Sequence, residues 1–129
     1  MLQMNSNLRC VSLVEDYVEK LVNKHKLSPD KHGNILISVT EAVTNAIRHG
    51  NCNDESKKVE LEIEEKDDGL AFRVSDEGEG FDYRSLPDPT SPDHIMECGG
   101  RGVYLMRALC DEIRFQNNGS TVEMKFSIE

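Results

Sequence analysis

The chain has 129 residues, of which 37% are hydrophobic and 30% are charged, so it fits one globular domain and is not a disordered protein. Fifteen basic residues stand against 24 acidic ones, and the net charge of −9 opposes binding to the phosphate backbone of a nucleic acid. No apolar run approaches the roughly 20 residues that cross a bilayer, and the N-terminus lacks the pattern of a signal peptide. No membrane or nucleic-acid partner is therefore expected.

The cysteines indicate a reducing compartment. Cys10, Cys52, Cys98 and Cys110 are far apart and form no C-x-x-C pair, so their spacing fits neither a metal site nor a disulfide framework. We therefore expect reduced thiols in a cytoplasmic protein.

Two amphipathic helices are predicted in the first 50 residues. From Leu8 to about Lys26, apolar residues recur every three or four positions, which predicts the first helix. Since this helix begins so early, an N-terminal strand is predicted to be short or absent. Ser28 and Pro29 are typical of an N-cap and a first helical position, and Gly50 is predicted to end the second helix in the left-handed conformation, just after His49.

A period of two predicts two hairpins in the rest of the chain. Apolar residues and glutamates alternate over 59–64, and Asp67–Gly69 is typical of the turn into a second strand. The second hairpin is predicted to have strands at Glu112–Gln116 and Thr121–Ile128, joined by Asn117–Gly119.

Between the hairpins, residues 77–100 lose all periodicity and are rich in glycine and proline. A loop of this length is typical of a functional lid, and a short helix is predicted after it, from about Val103 to Leu109. The order helix, helix, hairpin, lid, helix, hairpin predicts an α+β fold. We expect one domain over 1–129, a two-layer α/β sandwich with a mostly antiparallel sheet covered on one face by helices.

One polar stripe of the second helix is a candidate site. Glu41, Asn45 and Arg48 follow i, i+4, i+7 spacing, and a carboxylate one turn from a carboxamide can act as a base and as an oxygen ligand of hydrated Mg²⁺. The same stripe also fits a solvated helix edge. His49 fits either a phosphate donor or a favourable charge at the helix C-terminus.

Asp76 is the most informative polar residue. It continues the inward-facing positions of its strand, so its carboxylate is predicted to face the core side and to have a dedicated hydrogen-bond partner. Gly78 and Gly80 permit a close backbone approach to a ligand or a positive φ, although a turn capped by aspartate is the alternative. Ser120 is predicted to face a pocket next to Asp76, from the inward positions of the last strand.

A second glycine-rich segment, at 99–102, leads directly into a helix. Free backbone N–H groups and the helix dipole make such a segment an anion site, although an ordinary hinge fits as well. Neither glycine cluster fits the P-loop or the dinucleotide-binding pattern.

Four segments in this order resemble the motifs of the GHKL ATPases, which include the ATP-binding domains of gyrase, histidine kinases and mismatch-repair proteins. They are E-A-V-T-N-A-I-R-H-G at 41–50, D-E-G-E-G-F at 76–81, G-G-R-G-V-Y-L-M at 99–106 and G-S-T-V at 119–122. The short format and the run S-V-T-E-A-V-T-N-A-I-x-H-G resemble the anti-sigma-factor serine/threonine protein kinases most. The resemblance covers about residues 28–128.

The resemblance implies a role for each motif residue. Glu41 would be the general base, Asn45 would bind Mg²⁺, and Asp76 would accept a hydrogen bond from the adenine amino group of ATP. The glycines of the second and third motifs would lie against the purine and the phosphates. The implied ATP-binding residues are Asn45, His49, Asp76, Gly78, Gly80, Phe81, Gly100, Arg101, Gly102, Val103, Ser120 and Thr121.

The resemblance also implies partners. Such kinases phosphorylate an anti-anti-sigma (STAS) protein and sequester a sigma factor, and a homodimer is possible. They often carry an arginine before the third motif; this sequence has Cys98 and Gly99 there, and Arg101 is the candidate substitute. The alternatives are a non-catalytic ATP-binding module that binds a signalling partner and a detached histidine-kinase catalytic domain.

Overall fold

A computed structural model describes residues 2–25, 27–52, 54–78 and 106–127, with the backbone alone at His49 and Asn118. Residues 106–109 are helical. The strands and longer helices are β1 (Leu2–Asn5), α1 (Val11–His25), α2 (Pro29–Asn45), β2 (Lys58–Lys66), β3 (Gly69–Ser75), β4 (Glu112–Gln116) and β5 (Thr121–Ser127).

The five strands form one sheet in the order β1-β2-β3-β5-β4, and every neighbouring pair is antiparallel. The core lies between one face of this sheet and the helices. Phe72 and Phe126, from adjacent strands, meet there edge to face with ring centroids 5.8 Å apart. These features confirm the predicted α+β fold with a two-layer architecture.

The opposite face of the sheet is polar. Arg73 lies on β3 and binds two carboxylates, with its guanidinium 2.9 Å from Glu62 on β2 and 2.5 Å from Glu123 on β5. These two glutamates raise the pKa of the arginine, chiefly through the hydrogen bond that the guanidinium donates to Glu123. The alternation that the sequence predicts for the first hairpin is therefore confirmed, since apolar residues face the helices and charged residues face away.

The N-terminal strand is present and has four residues, which confirms the first of the two predicted alternatives, short or absent. β1 pairs with β2 in a register that sets Met4 opposite Val59, and both side chains are buried. The strand continues into Ser6, whose N–H donates to the carbonyl of Lys57 at 3.1 Å. With four residues, β1 is too short for an alternating pattern to be recognised in the sequence.

The first helix begins three residues later than predicted. Leu8–Cys10 form a 3₁₀ turn, and Val11 is the first residue of α1. The side chain of Asn7 caps this turn, because its Oδ1 accepts a hydrogen bond from the N–H of Arg9 at 2.9 Å. The apolar periodicity includes Leu8, but the cap residue ahead of it produces the tighter turn.

The second helix begins where the sequence predicts. Ser28 is the N-cap, its Oγ accepts from the N–H of Lys31 at 3.2 Å, and Pro29 is the first helical residue. The α-helix ends at Asn45, whereas the sequence predicts it to about His49. Residues Ala46–Gly50 form a π-helical turn instead, and the N–H of the next residue, Asn51, donates to the carbonyl of Ala46 at 2.8 Å.

The second hairpin agrees with its predicted strands, and β5 extends at least to Ser127. Positive φ values in the connection, 53° at Asn117 and 93° at Gly119, fit the residue types that tolerate this conformation. Two of the predicted thiols, Cys10 and Cys110, are free, and Cys98 lies outside the described residues. Within those residues, no helix is both long and apolar enough to cross a membrane.

Candidate functional site

Asp76 lies where the segment after β3 meets the end of α2. Its N–H donates to the carbonyl of Ser120 at 2.9 Å, which ties this segment to the start of β5. The carboxylate is half-buried, and its Oδ1 accepts from the N–H of Gly78 at 2.8 Å. The dedicated partner predicted for this carboxylate is therefore a backbone amide two residues away.

Two glycines allow the close packing around Asp76. A Cβ atom at Gly50 would overlap the carboxylate of Asp76, and one at Gly78 would overlap the carbonyl of Gly50. Neither glycine has a positive φ, so the left-handed stop predicted at Gly50 is wrong. The left-handed residue is Cys52, with φ at 52°, because the π-helical turn carries the chain past Gly50 before it reverses.

The surroundings of Asp76 favour a hydrogen-bonding ligand. Burial raises the pKa of its carboxyl group, while the N–H of Gly78 and the charge of Lys57 oppose this rise. No described residue donates a hydrogen bond to the second oxygen, Oδ2. A carboxylate that has lost part of its hydration binds a donor more strongly than an exposed carboxylate does.

The polar stripe of α2 contains unpaired buried atoms. The Nδ2 of Asn45 and the Oγ of Ser38 are buried and have no hydrogen-bond partner among the described residues. They are seven residues apart, about two helical turns, so they lie on one face of the helix with the half-buried Glu41 between them in sequence. Buried polar atoms are nearly always paired, so this face fits a polar ligand better than a solvated edge.

The π-helical turn separates Asn45 from Gly50. Such turns are rare in proteins, but those that occur are often found at functional sites, where the extra residue in the turn widens the helix. Here the turn links the Asn45 stripe to the glycine that packs against Asp76. The first two motifs therefore meet at Gly50, where the end of the first packs against the carboxylate that begins the second.

The structure does not bring the Thr121 side chain to this site. Thr121 is on the same side of β5 as Glu123, facing away from the helices, and its hydroxyl donates to the Oγ of Ser75 at 3.1 Å. Ser120 contacts Asp76 through its carbonyl. Its hydroxyl donates instead to the carbonyl of Asn117 at 2.9 Å, because Ser120 belongs to the turn, where strand alternation does not apply.

Seven of the expected ligand-binding residues lie wholly or partly outside the described part of the chain. His49 lies in the π-helical turn, and only its backbone is described. The other six lie outside the described residues and remain predictions: Gly80, Phe81, Gly100, Arg101, Gly102 and Val103. Most of the expected lid at 77–100 also lies outside the described residues.

Sequence reasoning missed Asn51. Its side chain is 1% exposed, and its Oδ1 accepts from the N–H of Glu77 at 2.8 Å, next to Asp76. A polar residue in a loop belongs to no periodic pattern. Its position directly after the helix-ending Gly50 is the one signal that the sequence offers.

The chain matches the histidine kinase-like ATPase domain family over residues 4–126. It belongs to this family. Among its relatives is the serine-protein kinase RsbW of Bacillus subtilis (strain 168), 37% identical over 102 residues, which are 74% of this chain and 64% of that protein. RsbW of Bacillus licheniformis is 33% identical and covers 88% and 76% of the two chains. RsbW of Staphylococcus epidermidis is 30% identical and covers 95% and 82%.

A solved structure supports the fold. The histidine kinase domain from the Erythrobacter litoralis EL346 blue-light activated histidine kinase superposes with a TM-score of 0.53 at 24% identity, over 77% of this chain and 45% of that chain. The family model and the RsbW relatives confirm the superfamily and subgroup that the four motifs predict, and the solved structure confirms the fold. Membership of the family implies that the chain uses a nucleotide.

The contact between Gly50 and Asp76 leads to a test by substitution. Gly50→Ala is expected to weaken ADP binding about tenfold, because the new methyl group displaces the Asp76 carboxylate and so weakens a charged hydrogen bond worth about 1.5–3 kcal/mol. Isothermal titration calorimetry measures this loss.

Gly33 provides the matched control. A Cβ there has nothing within 4 Å, and the residue lies inside α2, so Gly33→Ala is expected to stabilise the fold by about 0.5–1 kcal/mol and to leave ADP binding unchanged. Equal ADP affinities in the two variants would contradict a role of the Asp76 carboxylate in ADP binding.

Proposed function

We propose that this chain is an ATP-dependent serine/threonine protein kinase of the anti-sigma-factor type, built as one ATP-binding domain over 1–129. The observation that carries the proposal is the half-buried Asp76 carboxylate, held by the N–H of Gly78 with Gly50 packed against it. Relatives named serine-protein kinase RsbW support the activity, and one of them matches over 76% of its own length.

The residues present fit a purine nucleotide. Asp76 offers an acceptor whose Oδ2 has no donor among the described residues, and the two glycines keep side chains away from it. Asn45 adds a carboxamide on the adjoining helix, whose Nδ2 is buried and has no partner in the described part of the chain. A flat ring with an exocyclic amino group is the kind of ligand that such a narrow, acceptor-bearing site accommodates.

The donor set also fits Mg²⁺. No cluster of three or more His, Cys, Asp or Glu side chains occurs among the described residues, so a closed metal cage is not formed there. Mg²⁺ usually keeps several waters and binds one or two protein oxygens together with substrate phosphates. The carboxamide oxygen of Asn45 is the proposed protein ligand.

Asp76 and Glu41 have separate roles in the proposed reaction. Bound ATP with Mg²⁺ supplies the γ-phosphoryl group and neutralises its charge. Asp76 accepts a hydrogen bond from the adenine amino group and so fixes the position of the base. Glu41, one turn before Asn45 on α2, accepts at its carboxylate the proton of the attacking serine or threonine hydroxyl.

The proposed partners follow from the anti-sigma-factor type. The substrate is a serine or threonine of an anti-anti-sigma (STAS) protein, and a sigma factor is the second partner, sequestered while the STAS protein is phosphorylated. A cytoplasmic location and a homodimer belong to the same proposal. The free thiols of Cys10 and Cys110 are consistent with a reducing compartment.

Two measurements test this function. Mg-ATP at one hundred times its Kd is expected to stabilise the chain by about 2.7 kcal/mol through mass action, visible as a rise in Tm. GTP is the control, because it presents a carbonyl oxygen to Asp76 where ATP presents an amino group. Transfer of labelled γ-phosphate to a STAS protein then tests the kinase step.

The outcomes separate the candidates. Stabilisation by ATP together with transfer supports the kinase. Stabilisation without transfer to any STAS protein supports the non-catalytic module, for which Cys98 and Gly99, in place of an arginine, are the sequence argument. Absence of any response to ATP or ADP overturns both.

A further inference from the structure

We propose that Asn51 is a positioning residue for nucleotide binding, acting through the segment that carries Asp76. The inference rests on the proposed function, since it assigns to Asn51 the task of holding the adenine-binding carboxylate in place. Asn51 itself contacts Glu77, and no role as a nucleotide ligand is assigned to it.

The carboxamide of Asn51 is buried, and both of its ends are hydrogen bonded. Its Nδ2 donates to the Oγ of Ser6 at 2.7 Å and to the carbonyl of Lys58 at 3.0 Å. Its Oδ1 accepts from the N–H of Glu77 at 2.8 Å. One side chain therefore joins the end of β1, the start of β2 and the segment after β3.

Glu77 closes a ring of hydrogen bonds with Asn51. The N–H of Lys58 donates to the Glu77 carboxylate, the N–H of Glu77 donates to Asn51, and Asn51 donates to the carbonyl of Lys58. A closed ring in a partly buried place resists displacement of any one member, because a shift of one member strains two bonds.

The ring holds the residue next to Asp76. Asp76 is fixed on its N-terminal side by the bond from its N–H to Ser120, and Glu77 is fixed by Asn51. Gly50 precedes Asn51 directly and packs against the Asp76 carboxylate. The orientation of this carboxylate therefore depends on two anchors, and Asn51 provides the second.

Asn51→Ala and Ser6→Ala form a matched pair. Both remove a hydrogen bond of the same buried network, but Ser6→Ala leaves the bond between Asn51 and Glu77 intact. Asn51→Ala is expected to raise the Kd for ADP about tenfold, because the N–H of Glu77 loses its acceptor. Ser6→Ala is expected to change this Kd by no more than about twofold. Isothermal titration calorimetry measures both.

A second measurement separates positioning from general stability. Hydrogen exchange at the Glu77 amide is expected to be faster in Asn51→Ala than in Ser6→Ala, even where the two variants have the same Tm. A purely structural role would lower Tm and change exchange alike in both.

Glu77 variants test the ring from its exposed side, where folding is not at risk. Glu77→Ala opens the ring and is expected to weaken ADP binding about fivefold, within the range for one lost hydrogen bond. The loss of a negative charge would by itself favour the anionic ADP, so weaker binding points to the ring. Glu77→Gln keeps an acceptor for the N–H of Lys58 and is expected to bind as the parent does.

The outcomes distinguish the two proposals. ADP binding by the parent with unchanged affinity in Asn51→Ala overturns the inference and leaves the proposed function standing. If Asn51→Ala does not fold, equal binding by both Glu77 variants overturns the inference. No ADP binding by the parent overturns the proposed function and the inference together.

Discussion

Replacing Glu41 with alanine is expected to slow phosphoryl transfer to a protein substrate by about 10²- to 10⁴-fold, the usual contribution of a general base. The affinity for ADP is expected to change little, because Asp76 and its glycines are untouched. The half-buried Glu41 lies one turn before Asn45, the residue proposed to hold Mg²⁺ and with it the phosphates of the nucleotide. Single-turnover transfer with labelled ATP measures the rate.

Glu19 is the matched control for Glu41. It is an exposed glutamate on α1, so Glu19→Ala removes the same charge and side chain away from the site. An unchanged transfer rate in Glu41→Ala would exclude it as the base. A similar loss of ADP affinity in both variants would point to net charge as the cause.

Replacing Asp76 with asparagine is expected to weaken ADP binding about 10- to 150-fold, which corresponds to the roughly 1.5–3 kcal/mol of a charged hydrogen bond. The Oδ1 of Asp76 serves the N–H of Gly78, and its Oδ2 is proposed to serve the adenine amino group. Asparagine has the same shape but only one oxygen, so an NH₂ group faces one of these two donors. Calorimetric titration with ADP measures the loss.

The same substitution is expected to change stability in the opposite direction. Burial raises the pKa of Asp76, so the folded chain binds its proton more tightly than the unfolded chain does. The free energy of unfolding therefore falls as the pH rises from the ordinary aspartate pKa through the raised one. Without nucleotide, Asp76→Asn should be more stable than the parent at neutral pH, and the difference should shrink in acid. A less stable variant at neutral pH would contradict the desolvated carboxylate.

Local sequence patterns predict most of the fold. The alternation around Phe72 and the cap at Ser28 each depend on neighbours within a few residues, and the structure confirms both. The inward position of Asp76 follows from the same strand periodicity. A pattern of this kind needs only a helix or strand that is long enough to repeat it.

Features that depend on distant contacts could not be predicted in the same way. The strand β1 is defined by its pairing with β2, some 55 residues along the chain, and its four residues carry no readable period. The hydroxyl of Ser120 follows its turn, and strand alternation does not extend to it. Asn51 forms its bonds with Ser6, Lys58 and Glu77, and nothing in its neighbouring residues indicates these partners.

The mutual contact of Gly50 and Gly78 limits how this corner of the molecule can diverge. A methyl group on the first would strike the Asp76 side chain, and one on the second would strike the backbone of the first. Each glycine is crowded by the segment that carries the other. A larger residue at one position therefore cannot be accommodated by a smaller residue at the other, because glycine is already the smallest residue. In the proposed site, a change of base specificity would therefore require a substitution of Asp76 itself or a new path for both segments together.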